Sequence, residues 1–239
     1  MAITHRPTAL SLFSGVGALD LAVHRAFGAR FLGHIEWEAS AASVLLERME
    51  TKDMEPAPVW CGDYRELPLG PFVGRTDILV AGFPCQPFST ASRGRKVAVD
   101  EWPGTLRSIL RVKPRNVVLE NVSEEAIRTA ALDLSAYGYR SYYDRSCASE
   151  VGAAMRRERW WLLAYADDTE QSALALDDRK VARIRQVKQA DEWAEGPGRV
   201  LGMDVRTANR VDRLRMIGNS VCPIQAEETL RYIHTEATK

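Results

Sequence analysis

The chain has 239 residues, 46% hydrophobic and 27% charged, and its 32 Lys and Arg balance 32 Asp and Glu, so any nucleic-acid affinity has to come from local patches. That length supports one substantial core, the composition is that of a globular protein, and no run approaches the roughly 18 apolar residues of a membrane span. The four cysteines (Cys61, Cys85, Cys147, Cys222) make no C-x-x-C pair and the four histidines no H-E-x-x-H spacing, so neither a disulfide framework nor a metal is expected.

Met1 to Thr8 shows no secretory signal, and with the dispersed cysteines a cytoplasmic location is expected. Thr8 to Phe13 alternates as a short strand, followed by Ser14-Gly15-Val16-Gly17 and an amphipathic run, Leu19 to Phe27. Strand, glycine turn and helix let a backbone approach a ligand closely and aim helix amides at it. Phe31 to Ile35 reads as a second strand ending in Glu36-Trp37, where a carboxylate about 20 residues after the turn is placed to accept ribose hydroxyls. Ala39 to Met49 continues as a helix, and Met54 to Pro58 as a linker. Val59 to Tyr64 reads as a brief strand carrying Gly62-Asp63 at its end. Ile78 to Ala81 is an apolar run suited to a strand buried on both faces. It stops at Gly82-Phe83-Pro84 and presents Cys85, which Pro84 and Pro87 hold in a rigid, extended turn at the ligand-binding edge of such a sheet.

Beyond Ser89 the chain is polar and basic, with Arg93, Arg95 and Lys96 placed to grip phosphates beside the cysteine. A helix over Glu101 to Val112 leads to a buried strand, Pro114 to Val122, with Glu120 and Asn121 at its tip. Ser123 to Leu134 reads as a helix with Glu124 and Glu125 at its positive end, and Arg140 to Arg145 as a strand. In the run ending at Ala164, alternation puts Arg157 and Arg159 on one strand face; Trp160 and Trp161 read as packing. Tyr165 to Val205 breaks the pattern with an acidic start and a basic helical stretch, Arg179 to Lys188. Gly218-Asn219-Ser220-Val221-Cys222-Pro223 then precedes a last helix, Ile224 to His234.

Phe83-Pro84-Cys85-Gln86-Pro87-Phe88-Ser89 resembles the catalytic motif of DNA cytosine-5 methyltransferases. Phe13 to Asp20 resembles the family's first motif, with Ala18 where a second glycine is more usual, and Glu36-Trp37 resembles its second. Glu120-Asn121-Val122 and Asn219-Ser220-Val221 match later motifs in family order. Arg157 and Arg159 keep the arginines of a Gln-x-Arg-x-Arg pattern whose glutamine is replaced by Met155. The resemblance implies a Rossmann-like α/β domain that binds S-adenosylmethionine, with a mostly parallel sheet, helices on both faces, and residues 1–164 and 206–239 in the catalytic domain. Residues 165–205 would be a reduced target recognition insert, with a short or relaxed recognition sequence.

By that resemblance Phe13, Ser14, Gly15, Gly17, Leu19, Glu36, Trp37, Asp63, Tyr64, Pro84, Asn219, Ser220 and Val221 hold the cofactor, with Phe13 on the adenine and Asp63 at its amino group. Cys85 is the nucleophile, Glu120 the carboxylic acid at ring nitrogen 3, and Arg159, beside Arg157, holds the cytosine carbonyl. Phe83, Gln86, Ser89, Arg93, Arg95, Lys96, Asn121 and Val122 face the substrate. The expected partner is duplex DNA with its target cytosine flipped out, and the expected state is a monomer. Two alternatives stay open on the sequence: a tRNA cytosine methyltransferase with the same motifs, and an idle DNA- or cofactor-binding module.

Overall fold

The computed structural model describes residues 6–84, 100–167, 174 and 220–239. Strands β1 (Thr8–Leu12), β2 (Arg30–Glu36), β3 (Val59–Cys61), β4 (Ile78–Ala81), β5 (Asn116–Asn121), β6 (Tyr139–Cys147) and β7 (Glu158–Ala166) form one sheet. Its order is β3-β2-β1-β4-β5-β7-β6. The first five strands run parallel, and β7 lies antiparallel to both β5 and β6. Helices α1 (Ala18–Phe27), α2 (Ala39–Glu50), α3 (Trp102–Val112), α4 (Glu124–Ser135) and α5 (Pro223–Ala237) cover it.

The two-residue period of the strands sorts their side chains into two cores. Ile78 and Val80 of β4 join Ala9, Val118 and Leu163 beneath Ala22 and Val23 of α1 and Ala226 and Leu230 of α5. Leu79 and Ala81 face the other way, with Leu10, Val117 and Leu119, against Ile109 of α3 and Ile127 and Leu134 of α4. A strand buried on both faces needs an unbroken apolar run, which is what Ile78 to Ala81 supplies.

The helix boundaries follow local chemistry. Gly17 and Gly28 bracket α1 with φ of 78° and 68°, a left-handed backbone that glycine adopts without a Cβ penalty. Ser123 caps α4 by accepting the Ala126 amide, and Glu124 and Glu125 lie in its first turn. The third strand is shorter than the sequence suggests. It ends at Cys61, and Asp63 turns Tyr64–Glu66 into a single 3₁₀ turn by accepting the Arg65 amide at 2.9 Å. Arg157 likewise precedes β7, which begins at Glu158, so the two arginines are not successive residues of one strand face. No helix among the described residues is long and apolar enough to cross a membrane.

Candidate active site

The chain leaves β1 to build β2 and β3 on one side and then returns to place β4 on the other. The connections leaving the carboxyl ends of β1 and β4 therefore run to opposite faces, to α1 and α3, and such a switch point is where open α/β sheets bind ligands. A cleft of about 830 Å³ opens there, of the size that holds a cofactor. Its lining gathers Phe13, Ser14, Gly15, Leu19, Glu36, Trp37, Asp63, Tyr64, Phe83, Pro84, Glu120, Asn121, Val122, Arg159, Ser220 and Val221. Residues separated by most of the chain are thus brought to one cleft. Gly17 and Arg157 do not line it. Gly17 instead turns the chain into α1, and a Cβ there would lie 2.7 Å from the Met54 sulfur and 2.8 Å from Leu45. Cys85, Gln86, Ser89, Arg93, Arg95, Lys96 and Asn219 lie outside the described residues, as do the basic residues of the insert.

At the β1–β2 end, the glycine turn is tied to the neighbouring strand. The Glu36 carboxylate accepts the Gly15 amide at 2.7 Å and the Glu38 amide at 2.8 Å. Burial pushes its pKa up, while these amides pull it back. Each oxygen keeps acceptor capacity for a ligand hydroxyl. Phe13 sits at φ 56°, a left-handed backbone uncommon for a bulky residue and a form of strain concentrated at functional sites. Its ring packs against Tyr64 at 4.7 Å, and the Tyr64 hydroxyl donates to Glu101 at 2.8 Å. Trp37, at the β2 tip, is 68% exposed. The three aromatic rings suit a flat heterocycle.

Under this turn runs a buried polar chain that sequence reasoning missed. Ser14 Oγ donates to Ser11 Oγ at 2.8 Å, Ser11 donates to Asp20 at 2.7 Å, and Asp20 contacts His34 Nδ1 at 2.7 Å. Ser14 Oγ also accepts the Ile35 amide. Asp20 shares the helical stripe of Val16, Val23 and Phe27, so its inward placement was legible from periodicity alone. Its partner was not, because His34 comes from another strand.

At the β4–β5 end lies a buried ion pair. Glu120 stands at the tip of β5, 8% exposed, with Arg159 Nε of β7 at 2.8 Å from its Oε1. Removal from water raises the Glu120 pKa, against the pull of Arg159 and Arg157. Arg157 is lowered to about 10, first by burial and then by repulsion from Arg159. Gly82 makes room for the carboxylate: a Cβ there would stand 3.1 Å from Glu120 Oε2. Asn121 links the two strand tips, donating to the Phe83 carbonyl at 3.0 Å and accepting the Ser123 amide at 2.9 Å. It thereby fixes the backbone two residues before Cys85. On the far side, α5 closes the domain through Gln225, which donates to the carbonyls of Ser146 and Arg157.

A doubly covered, mostly parallel sheet with a cleft at its switch point, aromatic rings and a ribose-height carboxylate at one end and a buried carboxyl–guanidinium pair at the other defines a nucleoside-cofactor transferase domain. The C-5 cytosine-specific DNA methylase family model matches residues 8–197, and the chain belongs to that family. It is 29% identical over 178 residues to the type II methyltransferase M.NgoBI of Neisseria gonorrhoeae, covering 66% of this chain and 50% of that one. It is also 29% identical over 170 residues to M.HaeII of Haemophilus aegyptius, again covering 66% of this chain and 50% of the other. The chain spans about half the length of the curated relatives it matches. Among solved structures, a DNMT2 of Spodoptera frugiperda superposes with a TM-score of 0.53 at 21% identity, covering 69% of this chain and 51% of that one. That likeness establishes the shared fold.

The cofactor of this family is S-adenosylmethionine, and the residues of the cleft fit it. Aromatic rings flank the space for a base, and Glu36 offers acceptors for ribose hydroxyls. Even without Glu120, five carboxylates (Asp20, Glu36, Glu38, Asp63, Glu101) outnumber the two guanidinium groups of Arg65 and Arg159 in the lining. That excess suits a ligand carrying a sulfonium and an ammonium.

Proposed function

We propose that this protein methylates carbon 5 of cytosine in duplex DNA. The observation that carries the reading is the buried Glu120–Arg159 pair, set beside the strand tip that leads to Cys85 and at the end of a cleft fitted to S-adenosylmethionine. Carbon 5 of cytosine is a weak nucleophile. A thiolate from Cys85 adding to carbon 6 turns the ring into an enamine whose carbon 5 is nucleophilic. As negative charge spreads to ring nitrogen 3, a proton held by Glu120 neutralises it; the raised pKa of Glu120 supports its acid form. Arg159 orients that carboxyl and can donate to the cytosine carbonyl. S-adenosylmethionine, when bound, supplies a methyl group made electrophilic by its sulfonium. After carbon 5 has gained the methyl, loss of its proton re-forms the double bond and expels the Cys85 thiolate.

A target base inside a duplex cannot reach this cleft, so it must be flipped out. Residues 165–205 serve as the target recognition insert. About 40 residues offer few base contacts, each giving about 1–3 kcal/mol of discrimination, so recognition is short or relaxed. The type II names of the relatives favour a place in restriction–modification.

The test exploits the last step. In duplex DNA carrying 5-fluorocytosine the proton to be lost is replaced by fluorine, so the thiolate cannot leave. A protein–DNA adduct that survives denaturing electrophoresis, requires S-adenosylmethionine and is absent in Cys85→Ala is expected. Absence of adduct from a folded, cofactor-binding protein would overturn the reading, and an adduct only with fluorinated tRNA would move the substrate to RNA.

A further inference from the structure

Phe83 leads the chain to Cys85, and a ring outside the cleft lining packs on it. We propose that Trp102 and Asp133 are positioning residues for the methyl transfer: Asp133 fixes the Trp102 indole, which fixes Phe83 and so the approach to Cys85. The inference rests on the methyltransferase reading and adds two residues to which no motif points.

The need arises at the end of β4. Sheet pairing stops at Ala81, and Gly82, which follows, is the residue type with the least restricted backbone. Pro84 keeps Phe83 out of the helical region but leaves its extended conformations open. Contacts from elsewhere supply the rest. The Phe83 carbonyl accepts the Asn121 side-chain amide at 3.0 Å. Its ring packs on Trp102 with centroids 5.4 Å apart and planes tilted by 42°, within the range of a favourable aromatic pair. The Trp102 Nε1 donates to Asp133 Oδ2 at 2.8 Å.

These contacts close a circuit. Asn121 also accepts the Ser123 amide at the start of α4, and Asp133 stands further along the same helix. The carbonyl and the ring of Phe83 are therefore both referenced to α4, which is anchored in the core by Ile127 and Leu134. Tyr64 fixes the first turn of α3 from the other side. Its hydroxyl donates to Glu101 at 2.8 Å, and a Cβ at Gly104 would overlap that hydroxyl. Glycine inside a helix costs about 1 kcal/mol against alanine, and here it lets α3 come down on the phenol. Glu101 and Trp102 are neighbours, so one turn of α3 meets both the aromatic wall of the cofactor end and the strand tip of the reaction end.

A buried indole N–H needs an acceptor for stability alone, so the experiment reads rate against cofactor affinity. Single-turnover methyl transfer from saturating S-adenosylmethionine to unmethylated plasmid DNA is measured for wild type, Trp102→Phe, Asp133→Ala and Asp133→Asn, with S-adenosylhomocysteine affinity by calorimetry. Trp102→Phe and Asp133→Ala are expected to slow transfer by about 10- to 100-fold, the scale of a small misplacement of a reacting group, with affinity within about twofold of wild type. Asp133→Asn, which keeps an acceptor oxygen, is expected to retain most of the rate. Asp133 is half-buried, so its variants leave the core filled and carry the test should Trp102→Phe fail to fold. An unchanged rate in Asp133→Ala would overturn the proposal. So would a parallel loss of cofactor affinity, the mark of a generally loosened domain, or Asp133→Asn as slow as Asp133→Ala. No transfer by a wild type that binds S-adenosylhomocysteine would strike the methyltransferase reading itself, and the proposal with it.

Discussion

In the proposed reaction Glu120 acts as an acid at a pH where carboxyls are normally ionised. The fold arranges this by burial, then limits the shift with Arg159 at 2.8 Å. The consequence for stability has a definite sign. Between the ordinary carboxyl value of 4.5 and its raised value, Glu120 holds a proton in the folded protein that the unfolded chain has released. Its contribution to stability therefore falls as pH rises through that window, and is absent below it. Glu120→Gln carries no such proton. Melting scans from acid to neutral pH should show wild type losing ground relative to Glu120→Gln as pH rises; parallel curves would mean that Glu120 titrates normally. The same substitution should lower methyl transfer by about 100-fold or more, the usual scale for a lost general acid, with cofactor affinity retained. Glu120 and Arg159 were singled out by the motifs they resemble, and the structure brings the two together, whereas Cys85 lies outside the described residues. The Gly82 contact that admits Glu120 was not legible, since glycine before a proline turn has many uses.

At the scale of elements, the boundaries readable in the sequence are those set locally. The apolar run of β4 emerged where expected, and α4 began one residue later than expected, with Ser123 as its cap, because burial pattern and first-turn chemistry are set within a few residues. Elements set by distant partners were less legible. β6 runs on to Cys147, two residues past Arg145, because β7 pairs with it to the end. β3 stops early because Asp63 captures the next turn. The turn between β1 and α1 gives a paired prediction. Gly15 and Gly17 both have positive φ, but a Cβ at Gly15 meets nothing within 4 Å while one at Gly17 strikes Met54 and Leu45. Gly15→Ala bears backbone strain alone, about 1–2 kcal/mol, whereas Gly17→Ala adds overpacking of about 1–3 kcal/mol. Thermal unfolding should place Gly17→Ala several degrees below Gly15→Ala. Equal melting points would show that α2 and Met54 yield freely to the added methyl.

At the scale of the whole molecule, the described residues form one sheet whose switch point makes the cleft and whose last helix packs against its far part. Helix α5 returns from the end of the chain to α1, where Arg231 donates to the Arg25 carbonyl, and to β7, where Tyr165 meets His234 at 2.8 Å. This closure brings Ser220 and Val221 into the same cleft lining as Phe13, though some 200 residues separate them in sequence. Such an arrangement was legible from motif order but not from periodicity, which says nothing about where a terminal helix docks. If the proposed function holds, the cofactor end and the Glu120–Arg159 end of the cleft serve one methyl transfer. The most direct test is transfer of labelled methyl from S-adenosylmethionine to unmethylated duplex DNA, run beside Cys85→Ala and a tRNA substrate. Label at carbon 5 of cytosine in DNA, abolished by Cys85→Ala, is the predicted result. No label in either nucleic acid from a protein that binds the cofactor, or label undiminished in Cys85→Ala, would contradict it.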